Sequence, residues 1–300
     1  MKHERRIKLC ALFASVLIIC YTSHSKAVPV FYMSKAVADI GEIIRRTCRI
    51  AELLGRDTII ETYNYVIYGG DTMNIALILA GGTGERLMRG RPKPFVSVRG
   101  TMIITHCLAA VGAHPLIDAI QIVAEEEWRE KIYEQMPEAA LKKLSGFSKP
   151  GPNRQRSIFN GLKTIMPSAK KSDIIVIHDA TRPLVPETLI TACVKACEKY
   201  DGGIPVLPVL DTIYMRKERC VDSFHKRGTV YTQQTPEAYR LKKYYAANQK
   251  LLPDKLDQVN DSAEPAVLAG MNLVMFLGEV TNFRIETLID LERLKLFISM

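Results

Sequence analysis

No C-x-x-C pair occurs among the seven cysteines of this 300-residue chain (Cys10, Cys20, Cys48, Cys107, Cys193, Cys197, Cys220). That absence argues against structural zinc, and the odd count argues against a closed disulfide framework. A reduced, cytoplasmic protein is expected. Cys193 and Cys197, one helical turn apart, read as small apolar residues on one helix face. No low-complexity tract and no short internal repeat is present, so neither a disordered scaffold nor a solenoid fits. No polybasic run with interleaved aromatics appears, which argues against nucleic acid as a partner. The 13-residue apolar run Leu9 to Tyr21 falls short of the roughly 20 residues that cross a bilayer, and no membrane partner is expected for the rest of the chain. Two common nucleotide-binding signatures are missing as well. No glycine-rich loop closes with Gly-Lys-Ser/Thr, and Gly82-x-Gly84 is followed by Leu87 where a Gly-x-Gly-x-x-Gly pattern needs its third glycine.

What remains is globular, 47% hydrophobic and 24% charged, with a net charge of +9. The length allows one large or two small domains. Residues 1–72 carry +3 of that charge and residues 73–300 carry +6, a surplus that suits an anionic small-molecule substrate. Residues 1–72 form an N-terminal extension with two readings. Basic Lys2 to Lys8, the apolar run and the small residues of Ser25-Lys26-Ala27 have the shape of a secretory signal. Alternatively, the working chain starts at Met73, because the first strand of the remaining domain opens directly after it.

The apolar run Ile75 to Leu79 reads as a buried strand, and Ala80-Gly81-Gly82-Thr83-Gly84-Glu85-Arg86-Leu87 follows it. Glycines there let backbone N–H groups approach phosphate oxygens, and a helix starting just past the loop would aim its positive end at the same place. Arg86 and Lys93 add two cations. Taken alone, the loop also fits a plain strand-to-helix turn. Beyond it the pattern alternates. Helices are expected over Ile103 to Gly112, Glu126 to Leu144, Ser157 to Ile165 and Pro186 to Tyr200. Apolar strands are expected over Ile117 to Ala124, Asp173 to Ile177 and Gly203 to Pro208. This alternation predicts an α/β fold with a mostly parallel sheet covered on both faces, and ligands at the carboxyl ends of its strands.

Two further motifs follow strands or open helices. In Ile177-His178-Asp179-Ala180-Thr181-Arg182-Pro183, Asp179 is placed to hold Mg²⁺ against phosphates, since Mg²⁺ takes only one or two protein carboxylates. A cap paired with Arg182 is the plainer alternative. His178 reads as a packed, hydrogen-bonded histidine. In Gly151-Pro152-Asn153-Arg154-Gln155-Arg156-Ser157, a loop running into a helix can read a base through its backbone and Ser157 while an arginine meets a phosphate. A solvated loop with a serine cap fits the same residues.

These motifs, together with Asp211-Thr212 and Gln234-Thr235-Pro236 in that order, resemble the cytidylyltransferases that activate sugar-alcohol phosphates. One branch acts on 2-C-methyl-D-erythritol 4-phosphate in isoprenoid synthesis, the other on ribitol 5-phosphate for wall or capsule polymers. The resemblance covers residues 73–298. It implies a Rossmann-like nucleotidyltransferase domain over 73–300, CTP and Mg²⁺, and a homodimer built by an extended arm, here about residues 213–231. By position it implies that Ala80, Gly81, Gly82 and Gly84 surround the triphosphate. Arg86 and Lys93 would be the transition-state cations, and Gly151, Arg154, Ser157 and Arg182 would contact the nucleotide. Asp179 would be the magnesium ligand, and Thr212, Arg227, Thr235, Asp261 and Arg284 would hold the acceptor.

The chain departs from the family pattern at four places. Pro94 stands where glutamine is usual, Arg284 replaces lysine, Glu286 replaces threonine, and Thr281 stands where some members place a second magnesium aspartate. Glu286 would either brace Arg284 as an ion pair or repel the acceptor phosphate, and bracing is expected. The segment Leu251 to Asn260 is longer than in the methylerythritol branch and looks more like the ribitol branch. Two rival readings stand beside this one: a nucleotidyltransferase acting on another sugar phosphate, and a non-catalytic nucleotide-binding paralogue.

Overall fold

The computed structural model describes residues 72–82 and 91–298. The readings of residues 1–71, and those of Gly84 and Arg86, fall outside the described residues. Eight strands build one central sheet: β1 (Asn74–Leu79), β2 (Ala119–Val123), β3 (Leu144–Ser148), β4 (Ile174–Asp179), β5 (Gly202–Pro208), β6 (Tyr231–Gln233), β7 (Glu237–Arg240) and β8 (Leu273–Leu277). Their order is β6-β5-β7-β4-β1-β2-β3, and β8 also pairs with β5. The run β4-β1-β2-β3 is parallel throughout, as is β8 on β5.

Helices α1 (Ile103–Ala113), α2 (Glu126–Glu134), α3 (Glu138–Lys143), α4 (Arg154–Ile165), α5 (Glu187–Lys199), α6 (Leu241–Gln249), α7 (Glu264–Leu268) and α8 (Leu288–Phe297) complete the fold. Side chains alternate along β1, so Ala76 and Ile78 share one face with Ile104 and Leu108 of α1 and Ile190 and Cys193 of α5. The other helix on β1, α4, also lies along β2 and β3. Leu77 and Ile78 are both fully buried, so β1 has no polar face. Each such side chain contributes about 1.5–3 kcal/mol. This is the expected apolar parallel strand.

Register decides where the chemistry goes. Leu79 of β1 lies level with Val123 of β2 and Asp179 of β4, and Val123 lies level with Ser148 of β3. The residues that follow β1 and β3, and Asp179 at the end of β4, therefore leave the sheet along one edge.

Three expectations need correction. The predicted helix Glu126 to Leu144 is two helices and a strand. Pro137 cannot continue α2 because its ring fixes φ and removes a donor, and Leu144–Ser148 then extends to pair with β2. Next, α4 begins at Arg154 rather than Ser157, because the Asn153 side chain caps it by accepting from the Arg156 N–H at 2.8 Å. The sheet is mostly parallel, as expected, with β7 running antiparallel between β4 and β5. Finally, the arm is a hairpin of Tyr214–Lys217 and Cys220–Phe224, every residue of it exposed, and Tyr231 already belongs to the central sheet. Among the described residues no helix is long and apolar enough to cross a membrane.

Candidate active site

Gly81 lets the loops after β1 and β3 meet, and Gly151 lets the second loop close on the start of α4. A Cβ on Gly81 would stand 2.3 Å from Pro150 Cβ, so only glycine permits that contact. A Cβ on Gly151 would stand 2.4 Å from Arg156 Cβ. The turn at Gly151 is closed by Ser157, whose hydroxyl accepts from the Gly151 N–H at 2.9 Å and donates to the Asn153 carbonyl at 2.9 Å. Ala80 is buried, with its N–H donated to Val123, and Gly82 is exposed. Arg156 forks onto Asp257 at 2.6 Å through each of two nitrogens, which docks the long segment 251–260 against the start of α4.

Asp179 ends β4 inside a cluster of arginines. Its Oδ1 accepts from Arg154 Nε at 3.2 Å and Nη2 at 3.0 Å. Its Oδ2 faces Arg284 Nη1 at 3.7 Å and Arg182 Nε at 3.9 Å. Burial pushes the carboxyl toward protonation, but the three guanidiniums outweigh it and hold its pKa at about 2. Arg154 also reaches Glu237 Oε1 at 3.8 Å. At the other end Glu286 bridges Arg284, at 2.5 Å to its Nε, and the Lys93 ammonium. The charges thus alternate in one chain: Lys93, Glu286, Arg284, Asp179, Arg154, Glu237. The expected pairing of Glu286 with Arg284 is present, and its reach to Lys93 was not anticipated.

Other predicted residues have partners within the fold. His178 is fully buried, and burial lowers its pKa to about 4, so it is neutral. Its Nε2 lies 3.1 Å from the Arg182 carbonyl, which can only accept, so Nε2 carries the proton and Nδ1 accepts. The Thr235 hydroxyl, 3.2 Å from Nδ1, donates there and accepts from the Asp179 N–H at 3.0 Å. Its single proton is therefore committed to His178 in this arrangement. Arg182 is buried and donates through Nη1 to the Asn282 carbonyl at 2.7 Å. Asp261 accepts from the Ala263 N–H at 2.7 Å, in a turn before α7. Arg227 donates to the Thr212 hydroxyl at 3.1 Å beside the exposed hairpin, and among the described residues no hydrogen bond or ion pair links this couple to the Asp179 cluster.

Glu237 escaped the sequence reading. It is fully buried, its Oε2 accepts from Gln233 and Tyr239 at 2.6 and 2.7 Å, and Oε1 has no hydrogen-bond partner among the described residues. Burial raises its pKa to about 7, with Asp261 adding to the rise and Arg154 opposing it. A carboxylate directly after a threonine-proline pair carries no sequence signal of burial.

The donor set suits one Mg²⁺ arriving with phosphates. Asp179 is ionised, and among the described residues its Oδ2 has no cation closer than 3.7 Å, so that oxygen keeps lone pairs for a metal. Among the described residues no group of three or more His, Cys, Asp or Glu could hold an ion unaided.

A family model described as 2-C-methyl-D-erythritol 4-phosphate cytidylyltransferase (IspD) matches residues 74–299. A ribitol-5-phosphate cytidylyltransferase of Lacticaseibacillus paracasei is 28% identical over 75% of this chain and 98% of its own length. A 2-C-methyl-D-erythritol 4-phosphate cytidylyltransferase of Rubrobacter xylanophilus is 34% identical over 72% of this chain and 91% of its own. Among solved structures, a 2-C-methyl-D-erythritol 4-phosphate cytidylyltransferase of Francisella tularensis superposes with a TM-score of 0.64 at 24% identity, covering 75% of this chain and 99% of that one, and shares the fold.

Proposed function

Because this chain belongs to the 2-C-methyl-D-erythritol 4-phosphate cytidylyltransferase family, we propose that it transfers the cytidylyl group of CTP to a sugar-alcohol phosphate and releases pyrophosphate. The observation that carries this reading is the alignment of the β1, β3 and β4 ends. It gathers a glycine loop, a capped helix start and a carboxylate ringed by arginines along one edge of the sheet. The acceptor's phosphate oxygen is anionic at neutral pH, so it attacks the α-phosphorus without a general base. Catalysis is then positioning and charge neutralisation. Lys93, with Arg86, neutralises charge gathering on the α-phosphate and the leaving pyrophosphate. The Gly151 turn frames the base, and Arg284 takes the acceptor's phosphate. Asp179 would hold Mg²⁺, which supplies further neutralisation of the phosphates.

Two branches compete for the acceptor. Ribitol 5-phosphate is favoured slightly over methylerythritol phosphate, because the docked segment 251–260 belongs with the ribitol pattern. Pyrophosphate release with CTP and each acceptor decides it. Release with neither, but with a sugar 1-phosphate and another nucleotide, supports a different nucleotidyltransferase. Release with none supports a binding paralogue. The site of action is taken as the cytoplasm, where CTP is made.

The homodimer rests on the hairpin. Tyr214, Val221 and Phe224 are 61%, 66% and 73% exposed, an apolar surface that a partner copy would cover. Phe224→Asp should convert a dimer to a monomer in analytical ultracentrifugation. A wild-type monomer would remove this part of the reading.

A further inference from the structure

We propose that Glu286 is a positioning residue, tying the Lys93 ammonium to the Arg284 guanidinium so that the triphosphate cation and the acceptor cation are presented at one fixed spacing. This rests on the transfer reaction proposed above and adds a residue to it. The bridge uses both carboxylate oxygens: Oε2 meets Lys93 Nζ and Oε1 meets Arg284 Nε at 2.5 Å. Arg284 meets Glu286 through its Nε, and its Nη1 faces Asp179 at 3.7 Å, so the guanidinium has further donors for other anions. An ammonium has three donors, and this bridge occupies one of those on Lys93. The carboxylate therefore orients both cations while leaving each with donors to spend on phosphate.

The backbone beneath Glu286 is held from both sides. Ile285 is fully buried against Val96, Val98, Ile103, Leu291 and Leu294, and its N–H is donated to the Thr181 carbonyl at 2.9 Å. The Glu286 N–H is donated to Asp290 Oδ2 at 3.0 Å, beside the reciprocal Thr287–Asp290 cap that opens α8. Val96 and Val98 lie just after the short turn that carries Lys93, so the same apolar cluster fixes the two ends of the bridge. A glutamate whose backbone is fixed at this level spans two flexible cations and reduces the rotamers each can occupy.

A double-mutant cycle tests this. Pyrophosphate release with CTP, Mg²⁺ and the better of the two acceptors would be measured for wild type, Glu286→Ala, Lys93→Ala and the double variant. Glu286→Ala should lower kcat about tenfold while KM for CTP moves by less than about threefold, and Glu286→Asp should recover part of the loss. In the Lys93→Ala background, removing Glu286 should lower kcat no further, because its effect on turnover runs through Lys93, while its hold on Arg284 should still show as a raised KM for the acceptor. A merely structural glutamate would give losses that multiply. If wild type turns over no acceptor, the reaction reading has failed, and titration calorimetry with inorganic pyrophosphate still judges the bridge. Weaker binding to Glu286→Ala than to wild type supports it. Tighter binding, a raised kcat or multiplicative losses would overturn it, and would mean that the carboxylate competes with phosphate.

Discussion

The charge chain has two unlike halves. In the inner half, both carboxylates are withdrawn from water, Asp179 10% exposed at the side chain and Glu237 fully buried, with Arg154 34% exposed. In the outer half, Glu286 and Arg284 are 40% and 46% exposed, and Lys93 is 12% exposed. The same kinds of ion pair therefore differ in what they do. Inside, desolvation makes each charge depend on its partner, and the pKa values show it: Asp179 is held at about 2 and Glu237 is pushed up to about 7. Outside, water screens the Glu286–Arg284 pair and it is worth little to stability, so it is free to be redirected toward a ligand. The inner half sets the geometry of the site, and the outer half is available to respond to what binds.

The sharpest way to break that contrast is Asp179→Asn. It leaves Arg154, Arg182 and Arg284 without their shared counter-charge and should cost about 3–5 kcal/mol of stability, seen as a lower denaturant midpoint, besides weakening magnesium-dependent CTP binding. The wild-type contribution of Asp179 is present above its unfolded value near 3.8 and is lost as pH falls through about 2. A variant as stable as wild type would mean the inner half is not the rigid one. Next in size, Lys93→Ala should leave the fold intact and lower kcat by about 10²–10³-fold, with a smaller change in KM for CTP. Near wild-type turnover would remove Lys93 from the chemistry.

The contrast also separates what the sequence made legible from what it hid. The apolar runs of β1, β2, β4 and β5 announced a buried parallel sheet, and the motifs after them announced its working edge. Asp179, Arg154 and Arg284 were singled out from short motifs, and the fold brings the three side chains together. Glu237 was not, since a strand reading Glu-Ala-Tyr-Arg has no apolar run, and its burial comes from strands far along the chain. Thr235 was assigned to the acceptor from its motif. Only the His178 tautomer, fixed by a carbonyl in space, shows where its proton goes. The Lys93–Glu286 bridge joins residues 193 positions apart, beyond any local pattern.

Glu237 offers a smaller test of the inner half, by pH. Its folded pKa of about 7 lies above its ordinary 4.5, so the stability it contributes is present below pH 4.5 and is lost as pH rises through 7. Glu237→Gln has no charge to lose. Thermal or denaturant melts should show wild type losing about 2 kcal/mol relative to this variant between about pH 5 and pH 8. A difference that stays flat across that range would mean the carboxyl is not held out of water as the fold implies.

The smallest expected effect comes from Arg284, where the two halves join. Its guanidinium faces Asp179 at 3.7 Å and grips Glu286, yet nearly half its side chain is exposed. Asp179 keeps Arg154 and Arg182 if Arg284 is removed, so Arg284→Ala should change stability by less than about 1 kcal/mol. Its loss should be felt by the ligand: KM for the acceptor should rise about tenfold, the scale of one charge-assisted hydrogen bond. Arg284→Lys separates charge from shape. A lysine restores the cation but cannot offer one nitrogen to Glu286 and a fork to phosphate at once, so it should recover KM only in part. Melts and acceptor titrations on the two variants then test the division. If Arg284→Ala costs as much stability as Asp179→Asn, the outer arginine is as structural as the inner ones, and the chain of charges is one rigid network rather than a fixed half and a responsive half.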